Sequence, residues 1–335
     1  MDIFIVSFSV LNPLRYQPPS RDNDSQINFI EKIMEQLYQE LIHLTLPTIL
    51  LESVYDVNFT VELEKERKTI LDWLTCRCSL EIEIDQVVES LGEKYIRQLS
   101  QRDIKTAVIE ALTEELQCRI LDYCVAINIA YPGFFEITNI STSYNDKPYP
   151  KSDTHTYICD LFDAYIAATD SKWPQINVLN IRNVWKWLSE KTHYFNGISI
   201  TAIDRAINAF TYLFNPDKYE DLLYCLIGIE SIYNSNESNA ILEQIKVKCE
   251  SLFGESASTK KELNQMYNIR SRFIHGQLNF PSKFTPYEGA DDFNEFECSF
   301  LKTLQTAQSI LLATIQKFVV NDAEQMITSI TLDFK

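Results

Sequence analysis

Glycine is scarce in this chain: seven residues in 335, where ordinary usage would supply about 23. That leaves little room for glycine-rich loops that cradle phosphates, or for many tight turns. Histidine is scarcer still, with four in the whole chain. His43, His155 and His193 stand apart, without a ligand spacing such as His-x3-His. Of the eight cysteines, no two form a Cys-x2-Cys pair. Cys76-Arg77-Cys78 is too tight and lacks a second pair, so no zinc site is expected. Most cysteines sit in apolar runs and read as reduced, buried thiols of a cytoplasmic chain. The start, Met1-Asp2-Ile3-Phe4, shows no basic leader pattern. The apolar run Ile310 to Ile315 falls far short of the ~20 residues that cross a membrane. Positive charge is also short, with 30 Lys and Arg against 47 Asp and Glu, for a net −17. Affinity for nucleic acid comes from neutralising phosphates. Any RNA contact therefore has to rely on a local basic patch working against the global field.

What is present is core-forming material: 45% of residues are hydrophobic. No repeat with a period of roughly 20–50 residues is visible. The expected fold is mainly α, with a mixed α/β N-terminal region (1–175) and an antiparallel helical bundle (176–335). In the first region, Phe4, Val6, Phe8 and Val10 alternate with smaller or polar neighbours, as do Val57, Phe59, Val61 and Leu63. Leu80, Ile82 and Ile84 alternate with Glu81, Glu83 and Asp85. Each pattern predicts a strand. Helices are expected at 27–43, 103–130, 156–168 and 181–191. The polar, proline-bearing stretch Ser141 to Thr154 reads as a loop or linker.

After Gly197 the helix punctuation becomes clear. Thr201 with Asp204 opens a helix that ends before Asn215-Pro216, and Pro216 can then start the next. That helix stops near Asn234. A third runs from about 239 to 253 and halts at Gly254. Thr259-Lys260-Lys261-Glu262 is a capping box for a fourth, which ends at His275-Gly276. After a loop rich in proline and acid, a long helix is expected over 293–320.

The fourth helix ends in Tyr267-Asn268-Ile269-Arg270-Ser271-Arg272-Phe273-Ile274-His275-Gly276. Arginine is a permanent, fork-shaped phosphate ligand, and histidine exchanges protons near neutral pH. Together they are enough to cut an RNA phosphodiester without a metal. A plainer reading exists: cations favour helix C-termini, and glycine commonly terminates a helix. Residues five apart are separated by about 140° around a regular helix. Arg270 and His275 therefore meet only if the helix breaks before His275, or if two copies of the chain face each other.

The C-terminal half resembles the Apea-like branch of the HEPN family, whose members carry an Arg-x(4–6)-His motif. Here that motif runs from Arg270 to His275. The segments Val184 to Leu188, Arg205 to Phe210, Asp221 to Leu223 and Ile227 to Tyr233 resemble the family's preceding helices in order and spacing. The likeness covers roughly residues 180–320. It implies a metal-independent endoribonuclease that needs no cofactor and acts as a homodimer on an RNA substrate. His275 would then be the general acid or base, and Arg270 the phosphate ligand. Ser271, Arg272 and Glu230 would support them. The resemblance also implies a toxin-like or antiviral-defence role, with an antitoxin or regulatory partner. A non-catalytic HEPN module that binds or scaffolds a partner stands as the alternative, and the net charge favours it. A third possibility is a toxin whose acidic N-terminal region senses a trigger or blocks the site.

Overall fold

The first strand, β1 (Asp2–Leu11), is the centre of an antiparallel sheet. Its alternating apolar residues give it a period of two, and it pairs with a strand on each side. The computed structural model describes residues 2–11, 24–42, 45–47, 58–64, 74–82, 84–90, 103–148, 156, 158–214, 218–234, 241–254, 259–279 and 291–326. The chain is mainly helical. It divides into one unit of Met1–Tyr157 with Asn180–Arg182, and another of Ile158–Leu179 with Asn183–Lys335.

The first unit contains β1, α1 (Asp24–Ile42), β2 (Thr45–Pro47), β3 (Asn58–Glu64), β4 (Leu74–Ile82), α2 (Ile84–Ser90), α3 (Ile104–Ala130), β5 (Glu136–Tyr144) and β6 (Lys147–Pro148). The strand order is β2-β3-β4-β1-β5-β6. Helix α1 buries Ile30, Ile33, Met34, Leu37, Tyr38 and Leu41, a stripe at helical spacing. Helix α3 ends where Asn128 ties off the chain. Its amide donates to the carbonyls of Cys124 (2.9 Å) and Phe135 (2.8 Å) and accepts from the Gly133 N–H (3.0 Å).

Two expectations are corrected here. The strand read over Leu80 to Ile84 ends at Ile82, and Ile84 opens α2 with its side chain fully buried. The stretch from Ser141 is not all loop: Ser141 to Tyr144 complete β5 and turn into β6. Tyr144 pairs with Lys147, and the two residues between them, Asn145 and Asp146, both take positive φ (46° and 61°). Such a two-residue hairpin turn matches the twist of its strands, and Asn and Asp tolerate that conformation. Residues 149–155 lie outside the described residues.

The second unit holds α4 (Cys159–Ser171), α5 (Ile181–Lys191, its first residues counted with the other unit), α6 (Ala202–Thr211), α7 (Lys218–Tyr233), α8 (Ile241–Phe253), α9 (Thr259–Ile274) and α10 (Asp291–Val320). Helix α4 starts at Cys159 rather than 156, and Asn215 and Pro216 lie outside the described residues. Helix α10 is the hub, packed by α4, α6, α7 and α9. It is buried on every side from Ala307 to Gln316, which explains the unbroken apolar run there. Its polar groups are tied down: Thr314 meets the Tyr233 hydroxyl at 2.7 Å, and Ser309 donates to the Ala164 carbonyl at 3.0 Å. Helix α7 approaches α10 closely at Gly228, where a Cβ would lie 2.8 Å from Leu311 Cδ1. The tryptophans of α5 are core: Trp187 is 2% exposed and donates to the Ala323 carbonyl, and Trp185 packs on Phe195. Among the cysteines whose burial is described, Cys124, Cys225 and Cys249 are buried, but Cys118 and Cys298 are exposed.

Candidate functional site

The decapeptide singled out above closes helix α9. The last turn is sealed by two backbone bonds: Gly276 N–H to Phe273 carbonyl (3.1 Å) and Gln277 N–H to Arg272 carbonyl (2.7 Å). Gly276 sits at φ +65°. This is the Schellman pattern, with glycine in the left-handed position that other residues avoid. His275 is the last residue inside it. Its own N–H still reaches the Ser271 carbonyl at 3.1 Å, so the helical path persists through His275. The helix ends here without swinging His275 back toward Arg270. The angular gap of about 140° between the two is kept.

Arg270 turns the other way, toward α7. Its Nη2 lies 3.4 Å from Glu230 Oε2, a long contact for a hydrogen bond. Tyr267, one turn earlier on the same face of α9, donates to the other oxygen of Glu230 at 3.0 Å. One carboxylate thus holds both side chains. Burial, and then the facing Glu230 carboxylate, push the Tyr267 phenol well above its usual range, so it stays a donor. Glu230 is 19% exposed and Arg270 36%. The guanidinium has five N–H groups, and this pairing occupies one of them.

The remaining site residues are on the surface. Ser271, Arg272 and His275 are exposed. Among the described residues, Arg272 makes one contact, at 3.4 Å with the Gln277 carbonyl. Among the described residues the His275 ring has no hydrogen-bond partner. The structure therefore brings together Arg270, Glu230 and Tyr267, and leaves His275, Ser271 and Arg272 apart from them. Ile227 and Ile274 are about half exposed (52% and 53%), on the two helices that carry Glu230 and Arg270.

The chain matches no known protein-family model, no curated protein and no solved structure.

Other titratable groups compete for attention. His193 Nδ1 lies 3.1 Å from Asp204 Oδ2. Asp204 is fully buried and accepts backbone N–H groups from His193, Ile200 and Thr201. Burial alone would raise its pKa, but these donors together outweigh it and hold the carboxyl at about 2. Thr201 and Asp204 complete the capping box of α6. This cluster ties two helix ends together. Lys260 pairs with Glu250 at 3.4 Å. Among the described residues, no group of three His, Cys, Asp or Glu side chains is placed to hold a metal. In the same residues, no helix is long and apolar enough to cross a membrane.

Sequence reasoning did not foresee the part Tyr267 plays. Its spacing from Arg270 was the available signal. Glu230, 40 residues from Arg270, was named as a partner through the resemblance alone; no local pattern shows that the two helices meet.

Proposed function

We propose that the chain is a metal-independent endoribonuclease of HEPN type, acting as a homodimer in a toxin-like or defence role. The observation that carries this reading is the tethering of Arg270 by Glu230 across two bundle helices, with an unengaged His275 at the end of the same helix. The arginine is oriented but not used up. The imidazole is solvent-facing. Because the two side chains diverge within one chain, a complete site needs a second copy. The exposed Ile274 offers apolar area for that copy to cover.

The chemistry follows from the residue types. One His275 removes the proton from the RNA 2′-hydroxyl. The 2′-oxygen then bonds to the adjacent phosphorus, and the P–O5′ bond breaks. The second copy's His275, protonated, gives a proton to the departing 5′-oxygen. Arg270 binds the scissile phosphate and stabilises the charge that develops on it. The products are a 2′,3′-cyclic phosphate and a 5′-hydroxyl end. The nucleophile belongs to the substrate, so no protein nucleophile is required. Incubation with RNA in EDTA tests this: cleavage should persist, and Arg270→Ala should abolish it without lowering the melting temperature. Cleavage that survives Arg270→Ala would remove the arginine from the site.

One observation favours a second reading. Arg270 is partly neutralised by Glu230, and the surrounding chain carries a net charge of −17. A non-catalytic HEPN module that binds a protein partner would tolerate both. It predicts no RNA cleavage by the wild type under any of these conditions.

A further inference from the structure

A groove of about 750 Å³ opens beside this cluster, between α6, α7, α8 and the residues that follow α10. Glu230 lines it, and so do Arg205 of α6, Lys248 of α8 and Glu324. The charges of these four do not cancel inside the groove. Both acids are already engaged: Glu230 by Arg270 and Tyr267, and Glu324 by Lys191 at 3.6 Å. Among the described residues, neither Arg205 nor Lys248 has a carboxylate within ion-pair distance. Lys248 gives one N–H to the Tyr233 carbonyl, which leaves two of its three donors available. Partial burial lowers its pKa, a cost that an anion in the groove would offset.

We infer that this groove is where the RNA strand runs past the scissile bond, with Arg205 and Lys248 as ligands for flanking phosphates. The inference rests on the ribonuclease reading and extends it from the cleaved bond to the strand around it. Three features support it. First, an acidic chain repels nucleic acid overall, so cations without an acid partner lining one groove give a local attraction against that field. Second, Glu230 forms part of the groove wall and also holds Arg270, so a strand in the groove leads directly to the proposed scissile phosphate. Third, the half-exposed Ile227 also lines the groove, offering an apolar surface to a base while the cations take the backbone. The volume lies within the range of nucleotide-sized sites.

The test is direct binding of a fluorescent, uncleavable 2′-O-methyl RNA oligonucleotide, read by anisotropy over a range of salt. The proteins are wild type, the double variant Arg205→Gln/Lys248→Gln, and Lys302→Gln, an exposed lysine that does not line the groove, as the control for lost charge. Wild type and Lys302→Gln should bind alike. The double variant should bind at least tenfold more weakly, and its log–log salt slope should fall by about 1.4, the loss of two single-strand phosphate contacts. Its thermal melt should match wild type. Unchanged binding in the double variant overturns the groove assignment, and so does a wild type that fails to bind. Competition by a free mononucleotide at the oligonucleotide's own concentration also overturns it, because the site would then serve small ligands. The ribonuclease reading fails separately, if RNA is bound through the groove but never cut.

Discussion

Two histidines lie at the ends of helices in the same unit, and their surroundings are opposite. His193 follows α5 and is fastened to a buried carboxylate, Asp204, which also takes three backbone N–H groups. His275 ends α9 with its ring exposed and, among the described residues, unpartnered. The difference separates holding from reacting. A charge that is buried and saturated with donors stabilises a junction and has no capacity left for a substrate. An exposed imidazole without a partner is the arrangement that the proposed general acid or base requires.

The sharpest way to break this contrast is to remove each ring in turn. His275→Ala should lower RNA cleavage by about 100-fold or more, the usual scale of a lost general acid or base, with the melting temperature unchanged. His193→Ala should leave cleavage within about twofold of wild type, because Asp204 keeps its backbone donors. A reversed outcome would exchange the roles of the two residues.

Next in size is Asp204 itself. Asp204→Ala strands buried N–H groups and should cost roughly 3 kcal/mol in urea unfolding, the scale of charge-assisted hydrogen bonds left unmade. The pH dependence has a definite sign. The carboxyl's pKa is about 2 in the fold against 3.8 unperturbed. Its contribution is therefore complete above about pH 4 and is lost as pH falls toward 2. The loss should be about 2 kcal/mol, visible as an acid-dependent drop in stability that Asp204→Ala lacks.

These two ends were unequally legible in the sequence. Thr201 and Asp204 were readable as a helix start because a capping box is written within four residues. Gly254 and Gly276 were readable as stops for the same reason, and α5 was placed over the residues it occupies. The polar β5–β6 hairpin was not, because Ser141, Thr142 and Ser143 carry no apolar alternation and its turn lacks glycine. Ile84 misled in the other direction, since a single apolar residue at a helix start extends a strand pattern by chance. At the site, Arg270 and His275 stood out by residue type alone. The bond from Tyr267 to Glu230 depends on how α7 and α9 pack, which no local pattern encodes.

Two smaller effects refine the contrast around His275. Gly276→Ala puts a Cβ on a left-handed residue and should cost about 1 kcal/mol in thermal or urea unfolding, with nothing in the structure to clash against the new methyl. Tyr267→Phe should change cleavage least, by a few-fold. Losing its bond to Glu230 loosens Arg270, so the change should appear in KM and its salt dependence, while the pH profile set by His275 stays in place. A Tyr267→Phe effect on the pH profile instead would mean that the phenol itself takes part in proton transfer.

The most direct measurement is end-group analysis of total cellular RNA incubated with wild type and with His275→Ala, both in EDTA. The wild type should leave 2′,3′-cyclic phosphate and 5′-hydroxyl ends, and the variant should leave the RNA intact. Equal cleavage by both proteins, or no cleavage by the wild type, would contradict the assignment of His275 as the reacting group.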